Sequence, residues 1–410
     1  MLTRREAAQA LIAATATATL GKTALAADKV VKIAMDLSLT GADSEGAQRI
    51  KNGFMMAIDG SNEGNGIPGV RLEALVLDDG TATAGQYDPA QAATNARKMV
   101  SDKDVVGALG PEMSGAGKAM APILSSGSLA TITPTSTNPD ITDPKFAQQF
   151  RPAGKPIYFR TVTTDAYQGP NMANFYADVL HVKSVYVLDD SGAYGVGMAD
   201  AFERQAEKKG IKVLGRDRLD PKAADYTAIL TKIKSMNPDA IYYGGVGQAG
   251  VKLAKQSYDI IPKVIKGGGD GVVSPTMLTG AGYPANEGWY GTRASPHVVG
   301  DQKAQQFVDA YFKKYNIPAD DYTITAYDAA LVMIDAIKRV AASGKPVTRE
   351  AVQAALMTSK VPTIQGVVQF DENGDLKDRT VSVFQIKQDT SARPDDVSRQ
   401  YRYIGVAPQA

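Results

Sequence analysis

From Val30 onward the chain alternates short β-branched runs with longer amphipathic stretches, a pattern that fits a parallel sheet wrapped in helices. Parallel neighbours need a crossover between them, usually a helix, so the alternation predicts βαβ units. Strands are expected at Val30–Leu37, Val70–Asp78, Val105–Leu109 and Leu129–Thr133, separated by helices at Glu45–Asn62, Asp88–Asp102 and Gly115–Ser125. A second series follows the Pro- and Gly-rich stretch 139–156. Its strands are expected at Ser184–Leu188, Lys212–Arg216, Ala240–Tyr243 and Val264–Lys266, and its helices at Gly169–Leu180, Gly197–Lys209, Tyr226–Met236 and Gly250–Tyr258. Two helical patterns then run in succession, Asp301–Tyr315 and Thr325–Ala342, before two hairpin-like strands around Glu372-Asn373-Gly374. That tail breaks the alternation. The chain is therefore expected to cross back and complete each half in turn, giving two discontinuous domains.

The first 27 residues have a different character. Thr3-Arg4-Arg5 precedes the weakly apolar run Ala7–Leu20, and Ala24-Leu25-Ala26 supplies small residues for cleavage near Ala26, the pattern of a secretory signal peptide over residues 1–27. The paired arginines also suit a folded-export route, although Glu6-Ala7-Ala8 replaces the apolar residues usual after them, and both routes stay open. The 383 residues beyond that segment exceed the ~250–300 at which single cores stop growing, so two lobes are expected on size as well. No cysteine is present, which excludes disulfides, thiol nucleophiles, thiolate metal sites and a lipid-attached cysteine at the cleavage point. With 45 Lys and Arg against 44 Asp and Glu, the chain offers no basic stripe for nucleic acid or a membrane surface. Past the signal, no apolar stretch approaches the ~20 residues needed to span a bilayer.

Open parallel sheets bind ligands beyond the carboxyl ends of their strands. Four such loops stand out. Gly110-Pro111-Glu112-Met113-Ser114 ends in a helix-capping residue, where backbone N–H groups favour an anion; Ser114 taken alone reads first as a plain cap. Thr133-Pro134-Thr135-Ser136-Thr137 places four hydroxyls beside a proline, suited to a small anion or to an ordinary Ser/Thr turn. Asp189-Asp190-Ser191-Gly192-Ala193-Tyr194 presents Tyr194 either as a lid at a loop tip or as a surface tyrosine packed on its own helix. Gly267-Gly268-Gly269-Asp270-Gly271 combines close backbone approach with a lone carboxylate fit for an ammonium group, or forms a simple turn.

Gly245-Val246-Gly247-Gln248-Ala249-Gly250 follows a strand and matches G-x-G-x-x-G, with Asp270 at dinucleotide spacing. Its position in a late βα unit argues against a nucleotide, as does an exported location. His181 and His297 sit in unrelated segments and read as surface or satisfied residues; Ser114 lacks the G-x-S-x-G glycine because Glu112 stands there. Trp289 reads as core packing near a crossover strand. No cofactor and no metal site is expected.

In order along the chain, Leu39-Thr40-Gly41, Ile132–Thr137, Phe159-Arg160-Thr161, Asp165–Pro170, Tyr194-Gly195, Tyr242-Tyr243-Gly244-Gly245, Tyr327–Ala330 and Phe370–Gly374 resemble the periplasmic branched-chain amino-acid-binding proteins, the solute receptors of ABC importers. The resemblance implies an α/β type I periplasmic binding protein fold, two doubly wound Rossmann-like lobes joined by crossover hinge strands. Lobe 1 is expected over 28–161 and 295–364, and lobe 2 over 162–294 and 365–410. It implies a non-enzymatic, monomeric periplasmic receptor that takes a small amino acid to permease subunits in the inner membrane. By the same resemblance Ser114 and Thr135, Ser136 and Thr137 hold the α-carboxylate, and Asp270 the α-ammonium. Tyr194 closes over the ligand, and the Gly245–Gln248 turn lines the same wall. Asp43 departs from the family, where an aromatic is usual, and so does Glu112, where small hydroxyl residues are commoner. These two acids leave room for a polar or cationic side chain, or are acids that merely face solvent. Two alternatives stay open: the same fold binding an aromatic acid, amide or urea-like solute, and an exported NAD-dependent oxidoreductase using Gly245–Gly250.

Overall fold

The computed structural model describes residues 29–64 and 66–410, so the signal-peptide reading of residues 1–27 lies outside the described residues. Two sheets organise the rest. In the first, β1 (Lys29–Leu37), β2 (Val70–Asp78), β3 (Val105–Leu109), β4 (Thr131–Thr133) and β5 (Tyr158–Arg160) lie in the order β2-β1-β3-β4-β5, all parallel. Helices α1 (Ser44–Glu63), α2 (Pro89–Ser101) and α3 (Ser114–Ser126) connect its strands. In the second, β6 (Ser184–Asp189), β7 (Lys212–Arg218), β8 (Ala240–Gly244), β9 (Ile265–Gly268) and β10 (Tyr290–Arg293) repeat that order as β7-β6-β8-β9-β10. Helices α4 (Asp165–Asp178), α5 (Ala193–Lys208), α6 (Thr227–Met236) and α7 (Gly247–Ile260) accompany them.

The chain then returns to the first sheet with α8 (Gln302–Tyr315), α9 (Asp321–Ala342), α10 (Arg349–Leu356) and the hairpin of β11 (Lys360–Pro362) with β12 (Val367–Gln369). It crosses again to add β13 (Ser382–Ile386) and β14 (Tyr401–Val406), antiparallel, beside β10. The crossings lie side by side: the Thr163 N–H donates to the Ala294 carbonyl at 2.8 Å, and Ser382 Oγ to the Ser295 carbonyl at 2.8 Å.

Apolar burial holds each half together. Ile33, Met35, Phe54, Ile58, Met333 and Ile337 fill the space between the first sheet, α1 and α9. At Gly53 a Cβ would lie 2.6 Å from the Thr323 carbonyl oxygen, so glycine is what lets α1 and the start of α9 approach. Behind the second sheet, Trp289 packs with Leu188, Ile241 and Phe384, in the core role expected of it. Another cluster runs across both halves, from Ala34 and Met120 to Tyr176 and Phe202, whose ring stacks on Tyr242 at 3.7 Å. Among the described residues no helix is long and apolar enough to cross a membrane.

Several expectations change. The strands flanking Glu372-Asn373-Gly374 do not pair with each other beyond a single Phe370–Leu376 bridge, because Asp371 closes a tight local turn by accepting from the Asn373 and Asp375 N–H groups. β12 pairs with β11 instead, and β13 with β10 and β14. Residues 367–376, placed in lobe 2 by the expected boundary at 364, pack on the first half: Val368, Phe370 and Leu376 join its core and Asp375 pairs with Arg160 at 2.7 Å. Finally, α9 begins at Asp321, four residues early, under a capping box in which Asp320 accepts from the Thr323 N–H and Thr323 returns the bond.

Candidate ligand site

The two halves share the 2-1-3-4-5 strand order, so their switch points fall between β1 and β3 and between β6 and β8. The loops at those points face one another around a cavity of about 80 Å³. The first half contributes Asp43, Ile50, Glu112, Met113, Ser114 and Thr135; the second contributes Tyr194, Val246, Asp270, Val273 and Arg293; the start of α9 adds Asp320 and Tyr322.

On the first wall β3 delivers the chain to the start of α3. Ser114 is the first helical residue and Met113 the cap, which supplies no side-chain acceptor, so the leading N–H groups of α3 stay available at the cavity edge. The expectation that Ser114 caps its own helix is thus corrected: its Oγ accepts from the Asn138 N–H at 3.2 Å. Thr135 Oγ1 donates to the Glu112 carbonyl at 2.8 Å, tying the hydroxyl loop to this turn.

Asp270 faces them from the second half, 6% exposed, at the turn that follows β9. It accepts from Gln168 Nε2 at 2.9 Å and Tyr194 Oη at 2.6 Å on one oxygen, and from Tyr322 Oη on the other. A carboxylate offers about four lone-pair positions, so these three donors leave one for a ligand. Burial, then the neighbouring Asp270, raise the tyrosyl groups of Tyr194 and Tyr322 well above their ordinary value, which keeps both as donors. Asp165 accepts from the same Gln168 nitrogen at 3.0 Å, and burial followed by repulsion from Asp270 holds its carboxyl far above the usual range.

Two cavity acids lack such support. Asp43 Oδ2 and Glu112 Oε2 are buried without a hydrogen-bond partner. Burial raises Asp43 to about 6, opposed by the Gly247 N–H; burial and then Asp43 hold Glu112 well above the ordinary carboxylate value, opposed in part by the Ser38 N–H.

Six of the expected residues therefore meet on one wall system: Ser114, Thr135, Tyr194, Asp270, Asp43 and Glu112. Four do not line it. Ser136 is 1% exposed and turned into the first half, where its Oγ accepts from Tyr158 Oη at 2.8 Å and its carbonyl from Arg160 at 2.7 Å. Thr137 is buried behind that network, its carbonyl accepting from the Asp165 N–H. Gly245 packs its carbonyl where a Cβ on Gly271 would stand, and Gln248 approaches Gly85 at the seam between the halves; Val246 is the member of that turn on the wall. Tyr194 is neither a loop-tip lid nor a surface residue, because α5 starts at Ala193 and carries it inward. Its hydroxyl lies 2.3 Å from where a Gly269 Cβ would be, so the glycine run makes room for Tyr194 to reach Asp270.

Arg293 and Tyr322 escape sequence reading. Arg293 is 3% exposed, 3.3 Å from Asp320 and 3.8 Å above the Tyr322 ring. The capping signal Asp320-x-x-Thr323 marks the helix start that brings Tyr322 in. The G-x-G-x-x-G turn does link a strand to a helix, but Asp43 Oδ1 lies 2.8 Å from where a Cβ on Gly247 would stand, so a carboxylate already crowds the position a pyrophosphate needs. His297 Nδ1 is engaged with Asp321 at 2.8 Å, away from the cavity.

A family model described as periplasmic binding protein matches residues 30–391. The chain is 33% identical over 356 residues to the Leu/Ile/Val-binding protein BraC3 of Rhizobium johnstonii, covering 86% of this chain and 91% of that one. It is 30% identical over 383 residues to the leucine-, isoleucine-, valine-, threonine- and alanine-binding protein of Pseudomonas aeruginosa, covering 93% and 96%. Among solved structures, the leucine-binding protein LivK of Thermotoga maritima superposes with a TM-score of 0.78 at 26% identity, covering 92% of this chain and 98% of that one.

Proposed function

The chain belongs to the periplasmic binding protein family, and on that premise we propose that it is the solute receptor of an ABC importer that captures one small amino acid between its lobes and hands it to the permease. One observation carries the reading: Asp270 on the second half faces Ser114, Thr135 and the open N-terminus of α3 on the first, across a single small cavity. An α-ammonium fits the free position on Asp270; an α-carboxylate fits the Ser114 hydroxyl and the helix N–H groups.

Contacts to both lobes exist together only when the lobes are closed, so the ligand stabilises closure by its differential affinity. Thr276 Oγ1 donates to the Ala42 carbonyl at 2.7 Å and Asn138 Nδ2 to the Ala193 carbonyl at 2.9 Å, bonds that join the halves directly. The receptor works as a monomer in the periplasm after residues 1–27 are removed, and no covalent chemistry enters this role. A micromolar affinity corresponds to about 8 kcal/mol. Calorimetry with the proteinogenic amino acids tests the reading: at least one binds, and Asp270→Ala abolishes that binding in a protein that still melts cooperatively. Undiminished affinity in that variant removes Asp270 from the site. A melting-temperature rise with NAD, and none with amino acids, moves the chain to the oxidoreductase reading.

A further inference from the structure

We propose that Asp43 and Glu112 form a side-chain subsite that selects a small amino acid ending in a cationic amine, of ornithine length or shorter, over an aliphatic one of the same size. The inference rests on the amino-acid reading above and specifies its ligand.

Both acids line the cavity, on the first-half wall that also carries Ser114. Asp43 is 7% exposed; its Oδ2 is buried and unpartnered, and so is Glu112 Oε2. Asp43 Oδ1 lies against Gly247, 2.8 Å from where a Cβ on that residue would stand, and Glu112 Oε1 lies 3.6 Å from where a Cβ on Gly46 would stand, while the other oxygen of each has no donor. The protein's own cation does not serve them: Arg293, the basic residue among those lining the cavity, is engaged with Asp320 at 3.3 Å.

Once Asp270 holds the α-ammonium, and Ser114 with the leading N–H groups of α3 the α-carboxylate, the ligand side chain is the remaining source of donors. A leucine side chain offers none and seals both oxygens away from water. An ammonium carries three N–H donors and one positive charge, enough to bond both oxygens and to offset their mutual repulsion. Burial and like charge push both carboxyls up when no cation is present, the response of a site built around one. Size limits the chain length. At roughly 10–15 Å³ per water-sized group, about 80 Å³ admits some five to eight groups, which matches the eight heavy atoms of 2,4-diaminobutyrate, lies one short of ornithine and is well short of the twelve of arginine.

Calorimetry on the mature protein with L-ornithine, L-2,4-diaminobutyrate, L-leucine, L-valine, L-threonine and L-asparagine tests this. A diamino acid is expected to bind at least tenfold more tightly than leucine. Glu112→Gln and Asp43→Asn, both close in shape to the native residue, are each expected to cut that preference by about 10- to 100-fold, the loss of a hydrogen bond to a charged group. Tighter binding of leucine, valine, threonine or asparagine overturns the subsite and leaves the receptor reading intact. A preference unchanged in both variants also overturns it. Binding of none of the six, or of any other amino acid, overturns both.

Discussion

Gln168 donates its side-chain amide to Asp270 at 2.9 Å, and the same nitrogen reaches Asp165 at 3.0 Å. Its orientation is fixed from the other end, where Gln168 Oε1 accepts from Thr292 Oγ1 at 2.7 Å. One amide thereby spans two buried acids and holds them in register, while burial and then the neighbouring Asp270 raise the Asp165 carboxyl. Gln168→Leu removes donors from both carboxyl groups. We expect folding stability to fall by about 1–3 kcal/mol in urea titrations, and ligand affinity by roughly tenfold in calorimetry, since bonds to charged groups are worth about 1.5–3 kcal/mol. Wild-type affinity in this variant removes Gln168 as a positioning residue for Asp270.

Tyr322 reaches Asp270 from α9, on the opposite half of the molecule. Its hydroxyl therefore contributes most when the halves are closed. Tyr322→Phe keeps the ring under Arg293 and deletes only that bond. The expected outcome is a ligand dissociation rate raised by about 5- to 20-fold with the association rate little changed, read by stopped-flow fluorescence. A slower association rate instead places Tyr322 on the path into the site.

The elements flanking these residues were readable because β-branched runs and amphipathic stretches are local signals. Arg293 and Tyr322 were not, because each is ordinary in its own segment and functional only through the other: a strand-end arginine and a first-turn tyrosine become a stacked pair 3.8 Å apart beside Asp270. The hydroxyl loop erred in the other direction. Four hydroxyls in five residues suggest ligand contacts, yet Thr135 alone of Thr135, Ser136 and Thr137 lines the cavity. The buried guanidinium of Arg160 draws the rest of the segment away, bonding the Ser136 carbonyl at 2.7 Å and the Asn138 carbonyl at 2.9 Å. Sequence shows donors; packing decides which way they face.

Asp43 gives the unliganded protein an inverted response to pH. Its folded value of about 6 lies above the ordinary 3.9 of an unfolded aspartate, so between those values the native state holds the extra proton. Stability from this group is then highest below about pH 4 and falls as pH rises to about 6, by about 3 kcal/mol at most. The groups acting on it are the Gly247 N–H, which lowers its value, and Asp190 and Asp79, which raise it, with Glu112 sharing the cavity. Asp43→Asn is expected to flatten the pH 4–6 segment of the denaturation profile measured without ligand. A cationic ligand prefers the ionised form, so its affinity rises with pH through about 6, and calorimetry in buffers of different ionisation enthalpy should register proton release in that range. An unaltered profile in Asp43→Asn assigns the titration elsewhere.

Arg49 and Asp395 join the halves far from the cavity. Arg49 projects from α1, 3% exposed, and its Nη2 contacts Asp395 Oδ2 at 2.8 Å and the Asp395 carbonyl at 3.1 Å. Asp395 belongs to the connection between β13 and β14 on the other half, and Arg393 beside it donates to the Asn316 carbonyl at 2.9 Å. A guanidinium this buried is stabilised by its partner only while the halves are together, so the pair favours the closed form. Asp395→Ala strands the charge. Because Asp395 keeps part of its surface in water, the cost is nearer 1–2 kcal/mol than the 3–5 of a fully buried pair, a loss of about 5- to 30-fold in ligand affinity with little change in the unliganded melting temperature. Replacing Arg49 by methionine removes the charge as well as the bond and should recover part of that loss. Parallel melting and calorimetry on the two variants separate the cases: a lowered melting temperature with native affinity means the pair holds the fold in both states and does not favour closure.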